Sequence, residues 1–265
     1  MNMNNNELLV EMSPLGEAAI RLELGDRIHP EIHRKVKRVH DHLERHPFPG
    51  MIECVPAFAA ITVFYDPFQV KMSHQDQPQF GNRSTYEIVA LLLEQLLSGM
   101  GKSAPGEPRV VEIPVCYGGE FGPDLVDVAE HHRLRPEEVI DIHTGGEYLV
   151  YMIGFAPGFP YLGGLPERIA IPRRSSPRTS IPAGSVGIAG IQTGVYPIST
   201  PGGWQLIGRT PLRLFRPDAN PPSLLQSGDV VKFRAISPEE FARYEEENHE
   251  KESGEEKRVH EEENA

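Results

Sequence analysis

Between Gly154 and Pro211, glycine and proline supply 20 of 58 residues, against 30 of the other 207. A helix of ordinary length does not fit between such residues, and a central strand tolerates proline badly. The segment has to be built from short strands joined by tight turns. Nor does it read as a flexible linker, because "GFAPGFPYLGGLP" at 154–166 interleaves Phe155, Phe159, Tyr161 and Leu162 with its turn residues. "SVGIAG", "WQLIG" and "LRLF" follow as candidate strands, and "LQSGDVVKFRAI" supplies a closing one. The pattern predicts an all-β barrel with elaborate loops, not a parallel α/β sheet.

Ahead of this segment the periodicity differs. "LLVEMSPLGEAAIRLEL" reads as two strands around Ser13–Gly16, with Ala18, Ile20, Leu22 and Leu24 on one face of the second. "PEIHRKVKRVHDHLERH" opens on Pro30 and repeats Ile32, Val36, Val39 and Leu43 at helical spacing. "MIECVPAFAAITVFYD" gives two strands bent at Pro56, and "TYEIVALLLEQLLSGM" an apolar helix ending at Gly99. The order ββαββα predicts an α+β domain over 1–100, its helices covering one face of an antiparallel sheet. Residues 101–108 read as a linker. The barrel domain, 109–236, opens with the strand "VVEIPVCYGG", two short helices in "DLVDVAEHHRL" and "RPEEVIDIHT", and the strand "EYLVYMIGF".

The net charge of −12 is uneven: residues 237–265 hold 12 Glu against 4 Lys or Arg, so this acidic tail carries −8 and the rest −4. Ser237 with Glu240 three residues on marks a helix start, and the remainder of the tail is expected to be largely disordered. This balance argues against a nucleic-acid partner. No apolar run reaches the roughly 18 residues that cross a bilayer, and the start shows no signal peptide. Cys54 and Cys116 form no CxxC and read as reduced thiols. The expectation is a cytoplasmic chain with no membrane association.

Two motifs invite over-reading. "GMGKS" at 99–103 lacks the first glycine of a phosphate loop, having Leu96 there, and follows a helix instead of opening one. The first helix is crowded with His29, His33, His40, His42 and His46, and two pairs stand four apart. They read as a solvated basic face, and no metal site is expected. Ser185 has no base beside it in the sequence.

His143 sits between a helix and the strand leading into the aromatic loop. It is either a structural residue or a general base or hydrogen-bond donor to substrate. "PRRSSPR" offers Arg173, Arg174 and Arg178, which either fork onto an anion or lie as surface charge on a loop. Gln192, Tyr196, Trp204, Gln205 and Arg209 add amide, hydroxyl, indole and guanidinium groups downstream. Trp204, the only tryptophan, is either a core plug or the wall of a site.

In order, "IHTGGEYLVYMIGFAPGFPYLGGLP", "IPRRSSPRTSIPAGSVGIAGIQTGVYPISTPGGWQLIGRTP" and "LLQSGDVVKF" closely resemble the bacterial family of 5-oxoprolinase B subunits. Its members are also known as Kip inhibitor proteins and were formerly named allophanate hydrolase subunit 1. The resemblance spans roughly residues 7–236. It implies an N-terminal α+β domain followed by a cyclophilin-like β-barrel, and two partner subunits, A and C, one of LamB/YcsF type. It also implies an ATP-dependent opening of 5-oxo-L-proline to L-glutamate, with ATP a co-substrate bound mainly on a partner. Similar modules occur within urea carboxylase. The Ser-Ser-Lys machinery of true allophanate hydrolases is missing here.

That reaction assigns expected roles. His143 would orient or deprotonate, Arg174 and Arg178 would hold anionic groups, and Gln192 and Tyr196 would bind the amide. Phe155, Phe159 and Trp204 would wall the pocket, with Gln205 beside them. The alternative that the resemblance carries is inhibition of a sporulation sensor histidine kinase through its dimerisation domain.

Overall fold

Alternating apolar residues along its two central strands build the inner face of the first sheet. In the computed structural model, residues 10–100 and 107–248 are described, and the chain divides into two compact units at Glu107/Pro108. The first unit runs β1 (Glu11–Pro14), β2 (Ala19–Glu23), α1 (Pro30–Arg45), β3 (Met51–Pro56), β4 (Ala60–Tyr65), α2 (Pro67–His74) and α3 (Thr85–Ser98). Its sheet is antiparallel throughout, in the order β1-β2-β4-β3. Ile20 and Leu22 of β2 and Ile61, Val63 and Tyr65 of β4 meet Val36, Val39 and Leu43 of α1 and Ile88, Val89 and Leu93 of α3 in one core. Ala18 precedes β2 and is exposed; Ala19 is buried in its place.

Local chemistry starts each helix of this unit. His29 accepts from the Glu31 N–H ahead of Pro30, and Ser84 and Glu87 form a reciprocal capping box on α3. The short α2 went unread in the sequence, although Asp66 capping Phe68 and Gln69 before Pro67 is a recognisable start signal. The solvated histidine face needs a correction: His33 lies inside with the apolar stripe, 1% exposed. Burial, with a smaller push from the Lys37 charge, lowers its pKa to about 4. In the "GMGKS" stretch Gly99 caps α3, while 101–106 lie outside the described residues.

The second unit is a closed seven-stranded barrel with strand order β10-β7-β6-β13-β5-β12-β9. Its members are β5 (Val110–Tyr117), β6 (Tyr148–Ile153), β7 (Pro160–Gly163), β9 (Ser185–Ala189), β10 (Gln192–Val195), β12 (Gln205–Arg209) and β13 (Val230–Ile236). Strand β13 lies parallel to β5 over seven residue pairs, from Val230↔Val110 to Ile236↔Cys116, and joins the two ends of this unit's sequence. Between β5 and β6 come α4 (Leu125–His132) and α5 (Pro136–Thr144), whose Leu125, Val128, Ala129 and Val139 pack into the barrel core. A separate ribbon pairs β8 (Arg178–Ile181) with β11 (Thr200–Gly202). "LRLF" forms no strand, only a single bridge from Phe215 to Ser223.

Residues 238–248 form α6, started by Ser237, whose hydroxyl accepts from the Glu240 N–H. Phe241 packs with Cys116, Ile236, Phe121 and Tyr244, and Arg234 reaches Glu240 and Tyr244. Burying a phenylalanine of this kind contributes about 2–3 kcal/mol, so this part of the acidic segment is held on the barrel. Residues 249–265 lie outside the described residues.

Close approach explains one glycine. A β-carbon on Gly122 would overlap the backbone of Ile207, so only glycine lets the 118–124 loop lie flat on β12. Gly122→Ala is expected to cost about 3 kcal/mol through forced backbone displacement, read as a lower denaturation midpoint. An unchanged midpoint would refute the contact.

Candidate functional site

Alternation along β10 decides which residues share a site. Thr193 and Val195 point into the barrel, where Val195 joins the core and Thr193 meets His143. Gly194, between them, faces outward: a β-carbon there would stand 3.0 Å from Trp204 and 3.3 Å from the Phe159 ring. Gln192 lies two residues away on the same outer face. On β9, Val186 and Ile188 point inward while Gly187 lies under Trp204; on β12, Ile207 points inward and Leu206 outward. The aromatic residues of the Gly/Pro segment thus form a second layer on the outside of the barrel wall.

Phe159 is the centre of that layer. Its ring meets Phe155, Tyr161, Tyr196 and Trp204 edge-on at centroid distances of 5.5, 5.1, 5.4 and 5.8 Å. Phe159, Tyr196 and Trp204 are buried together with Ile181, Ala189 and Leu206 as a small satellite core. Burial raises the Tyr196 pKa, partly offset by a hydrogen bond from the Trp204 backbone and the charges of Arg173 and Arg178.

Phe155 is the exception, 67% exposed at the tip of the loop. Its φ is +66°, and the Ala156 N–H donates to the Gly154 carbonyl at 2.8 Å across it. An i→i+2 bond with positive φ is the rarer and more strained γ-turn. Gly154 N–H donates to Phe159 O at 3.0 Å and Phe159 N–H to Ala156 O at 3.0 Å, so the six-residue connection is closed by its own backbone bonds.

Beside the aromatic layer lies a buried ion cluster. Asp124 is 3% exposed at its side chain. Its carboxylate accepts from Arg174 Nη1 at 2.8 Å, from Arg178 Nη1 and Nη2 at 2.9 and 2.8 Å, and from the Leu206 N–H at 2.7 Å. The Arg174 backbone N–H donates to Gly203 O, and Gln205 Nε2 to Pro172 O. The expectation that Arg174 and Arg178 hold a substrate anion meets an internal competitor: both are tied to Asp124, whose single negative charge offsets one of their two positive charges. Asp124 is the residue that sequence reading missed.

His143 sits on the other side of the wall. It is fully buried, stacked on Phe233 at 4.5 Å. Thr193 gives its only hydroxyl proton to Gly187 O at 3.0 Å, so it must accept from His143 Nε2–H at 2.9 Å. Nδ1 is then bare and accepts the Tyr117 hydroxyl at 2.8 Å, while Tyr148 donates to the His143 carbonyl at 2.7 Å. Burial holds the imidazole neutral, its pKa lowered to about 3. Of the two readings of His143, this geometry favours the structural residue over a base open to substrate. The imidazole pins α5 to the barrel interior, with both nitrogens used and a strand between it and the aromatic layer.

Arg209 lies at a third place, a cleft of about 200 Å³ between the 183–184 and 209–213 turns and α6. Its Nε donates to Ala183 O at 2.9 Å and its guanidinium lies 5.8 Å from the Phe241 ring.

Residues 10–225, which run through both units, match the family model described as carboxyltransferase domain, subdomains C and D. The crystal structure of TTHA0988 superposes with a TM-score of 0.69 at 33% identity over 83% of this chain. The chain spans only 40% of that longer molecule. The 5-oxoprolinase B subunit of Bacillus subtilis (strain 168) is 56% identical over 238 residues, covering 90% of this chain and 98% of the relative. That of Escherichia coli O157:H7 is 42% identical over 221 residues, 83% and 93% of the two chains. The chain belongs to the family of 5-oxoprolinase B subunits.

Two outcomes are expected from these geometries. Asp124→Asn leaves two guanidiniums without their counter-ion and should destabilise by about 3–5 kcal/mol; a loss below about 1 kcal/mol in denaturant unfolding would remove the cluster from its central place. For His143 the folded pKa lies below the unfolded 6.5, so its stabilising contribution is intact above pH 6.5 and is lost as pH falls toward about 3. Between pH 6.5 and 5 the parent should lose about 2 kcal/mol more than His143→Gln. Equal losses would contradict a neutral buried imidazole.

Proposed function

We propose that this chain is the B subunit of an ATP-dependent 5-oxoprolinase assembly, opening 5-oxo-L-proline to L-glutamate with hydrolysis of ATP. It works in the cytoplasm with subunits A and C, which hold most of the ATP site. Homology to 5-oxoprolinase relatives over nearly their whole length supports this reading. The cyclophilin-like description of the barrel belongs to the same reading.

A five-membered lactam resists hydrolysis because amide resonance must be lost. Transfer of the γ-phosphoryl group to the lactam oxygen activates the carbon, releasing ADP. A first water then adds at that carbon and the ring C–N bond breaks with a proton going to nitrogen, leaving the carboxyl as an acyl phosphate, which a second water hydrolyses to carboxylate and phosphate. The site must exclude bulk water, present an apolar wall to the ring and give hydrogen bonds to the amide. On this chain the buried layer of Phe159, Tyr196 and Trp204 ends outward in the exposed Phe155, and Gln192 stands on the outer face of β10. Arg174, Arg178 and Gln205 brace that face from the side, and His143 positions α5 from within.

The observation that carries the proposal is Phe155. A phenylalanine two-thirds exposed and held at positive φ costs about 1 kcal/mol of backbone strain, and the folded chain alone gains little from it. Covered by a neighbouring chain of the assembly, the same ring becomes a rigid aromatic anchor at the edge of the shared site. Phe155→Gly relieves the strained φ, so its melting temperature should be no lower than the parent's. With subunits A and C present, ATP-dependent turnover of 5-oxoproline should fall at least about tenfold. Unchanged turnover with a falling melting temperature would reduce the loop to a piece of core.

A further inference from the structure

The first unit holds a group of side chains that the proposed function does not use. His40 and Glu44 stand one turn apart on α1, and Cys54 projects from β3 beneath them. One ligand atom from each lies within 4.8 Å of the other two. The Cys54 thiol is 6% exposed and donates to Glu44 Oε1 at 3.2 Å. Glu44 is exposed and His40 partly so, which leaves one side of the group open to water.

The donor set is selective. An imidazole, a carboxylate and a thiol make an N, O, S set of the kind that takes zinc and its neighbours, and the sulfur disfavours magnesium and calcium. Three ligands bound at 2.0–2.3 Å in a tetrahedron stand about 3.4 Å apart, so rotation of two surface side chains closes the gap. The buried ligand comes from a strand and the movable ones from a helix, so the site is half preorganised.

The surrounding charge also fits. Burial first, and then Glu44, Asp41 and Glu53, push the thiol pKa up; the three carboxylates close to the thiol put negative charge where a cation would sit. Lys37 is held by Asp41 at 2.6 and 2.7 Å, so Asp41 is occupied and is not counted as a ligand. The histidine pairs that sequence spacing singles out are used elsewhere. His33 is buried in the core, His29 caps α1, and His42 Nε2 meets the Leu96 carbonyl.

We propose that His40, Glu44 and Cys54 form a three-ligand site for a divalent cation of the zinc class, with water in the fourth position. Binding exchanges the thiol proton for a metal–sulfur bond, so one proton is released per ion bound at neutral pH.

Co²⁺ added to the full-length protein should give a thiolate-to-cobalt charge-transfer band, saturating at one equivalent and displaced by Zn²⁺. One proton should be released per Co²⁺ in weakly buffered solution. Cys54→Ser should abolish the band, and His40→Gln and the exposed Glu44→Gln should each weaken Zn²⁺ binding at least about tenfold. His46→Gln, outside the group, should leave it unchanged. Should Cys54→Ser fail to fold, the two surface variants decide the matter. Cobalt bound without the band, or Zn²⁺ bound equally by parent, His40→Gln and Glu44→Gln, would mean an adventitious ion only and overturn the site.

Discussion

The outer layer of the barrel hangs on one carboxylate. Asp124 gathers Arg174, Arg178 and the Leu206 N–H from positions 50, 54 and 82 residues away. A buried charge costs several kcal/mol in lost hydration, and only the complete set of partners offsets it. A slip of the Arg-rich loop or of β8 would leave either the carboxylate or a guanidinium unpaired. The cluster's value lies in specificity, because it makes one arrangement of an otherwise turn-rich segment far better than its neighbours. Gly122 is the steric condition for it, since the loop must touch β12 before Asp124 can reach Leu206.

The wall of the barrel then separates two kinds of polar chemistry. Inside, Tyr117, His143, Thr193 and Gly187 form a directional chain of hydrogen bonds in which each member shown is used. Such a network rigidifies and specifies a core. Outside, aromatic edges and an amide face away from the barrel at the loop tip and on β10. A ligand that must exchange with solvent meets the second surface and not the imidazole of His143, which is buried with both ring nitrogens bonded.

What the sequence disclosed, and what it hid, follows from distance along the chain. The strand patterns of β2, β4, β6 and β9 and the helices α1, α3, α4 and α5 were legible because period and capping are local. The aromatic loop was legible as ordered, because Phe and Tyr among turn residues need something to pack on. Asp124 was not. It stands at the N-cap of α4, where an acidic residue usually caps the helix, but makes no side-chain cap bond there. Its partners lie on segments that only the closed barrel brings together. His143 misled for a related reason: a histidine at the end of α5 looks reactive until the hydroxyl of Thr193, 50 residues on, is found to accept a hydrogen bond from its Nε2–H. The pairing of His40 and Glu44 was visible at i, i+4, but Cys54 joins them only across the helix–sheet interface.

Phe155 shows what the density of glycine and proline accomplishes. A flexible loop carrying an exposed aromatic ring would lose conformational entropy on docking, about 0.5–1.5 kcal/mol for each side chain immobilised and more for the backbone. Here the backbone cost is met during folding, because the 154–159 connection is closed by its own hydrogen bonds between the paired Ile153 and Pro160. The ring is already seated edge-on against Phe159, and Phe159 rests on a wall where Gly194 leaves room for it. Rigidity thus passes from the barrel strands through the buried aromatic layer to the one aromatic side chain at the loop tip. A partner that covers Phe155 spends little on ordering it, and binding free energy is left for the geometry of the reacting groups.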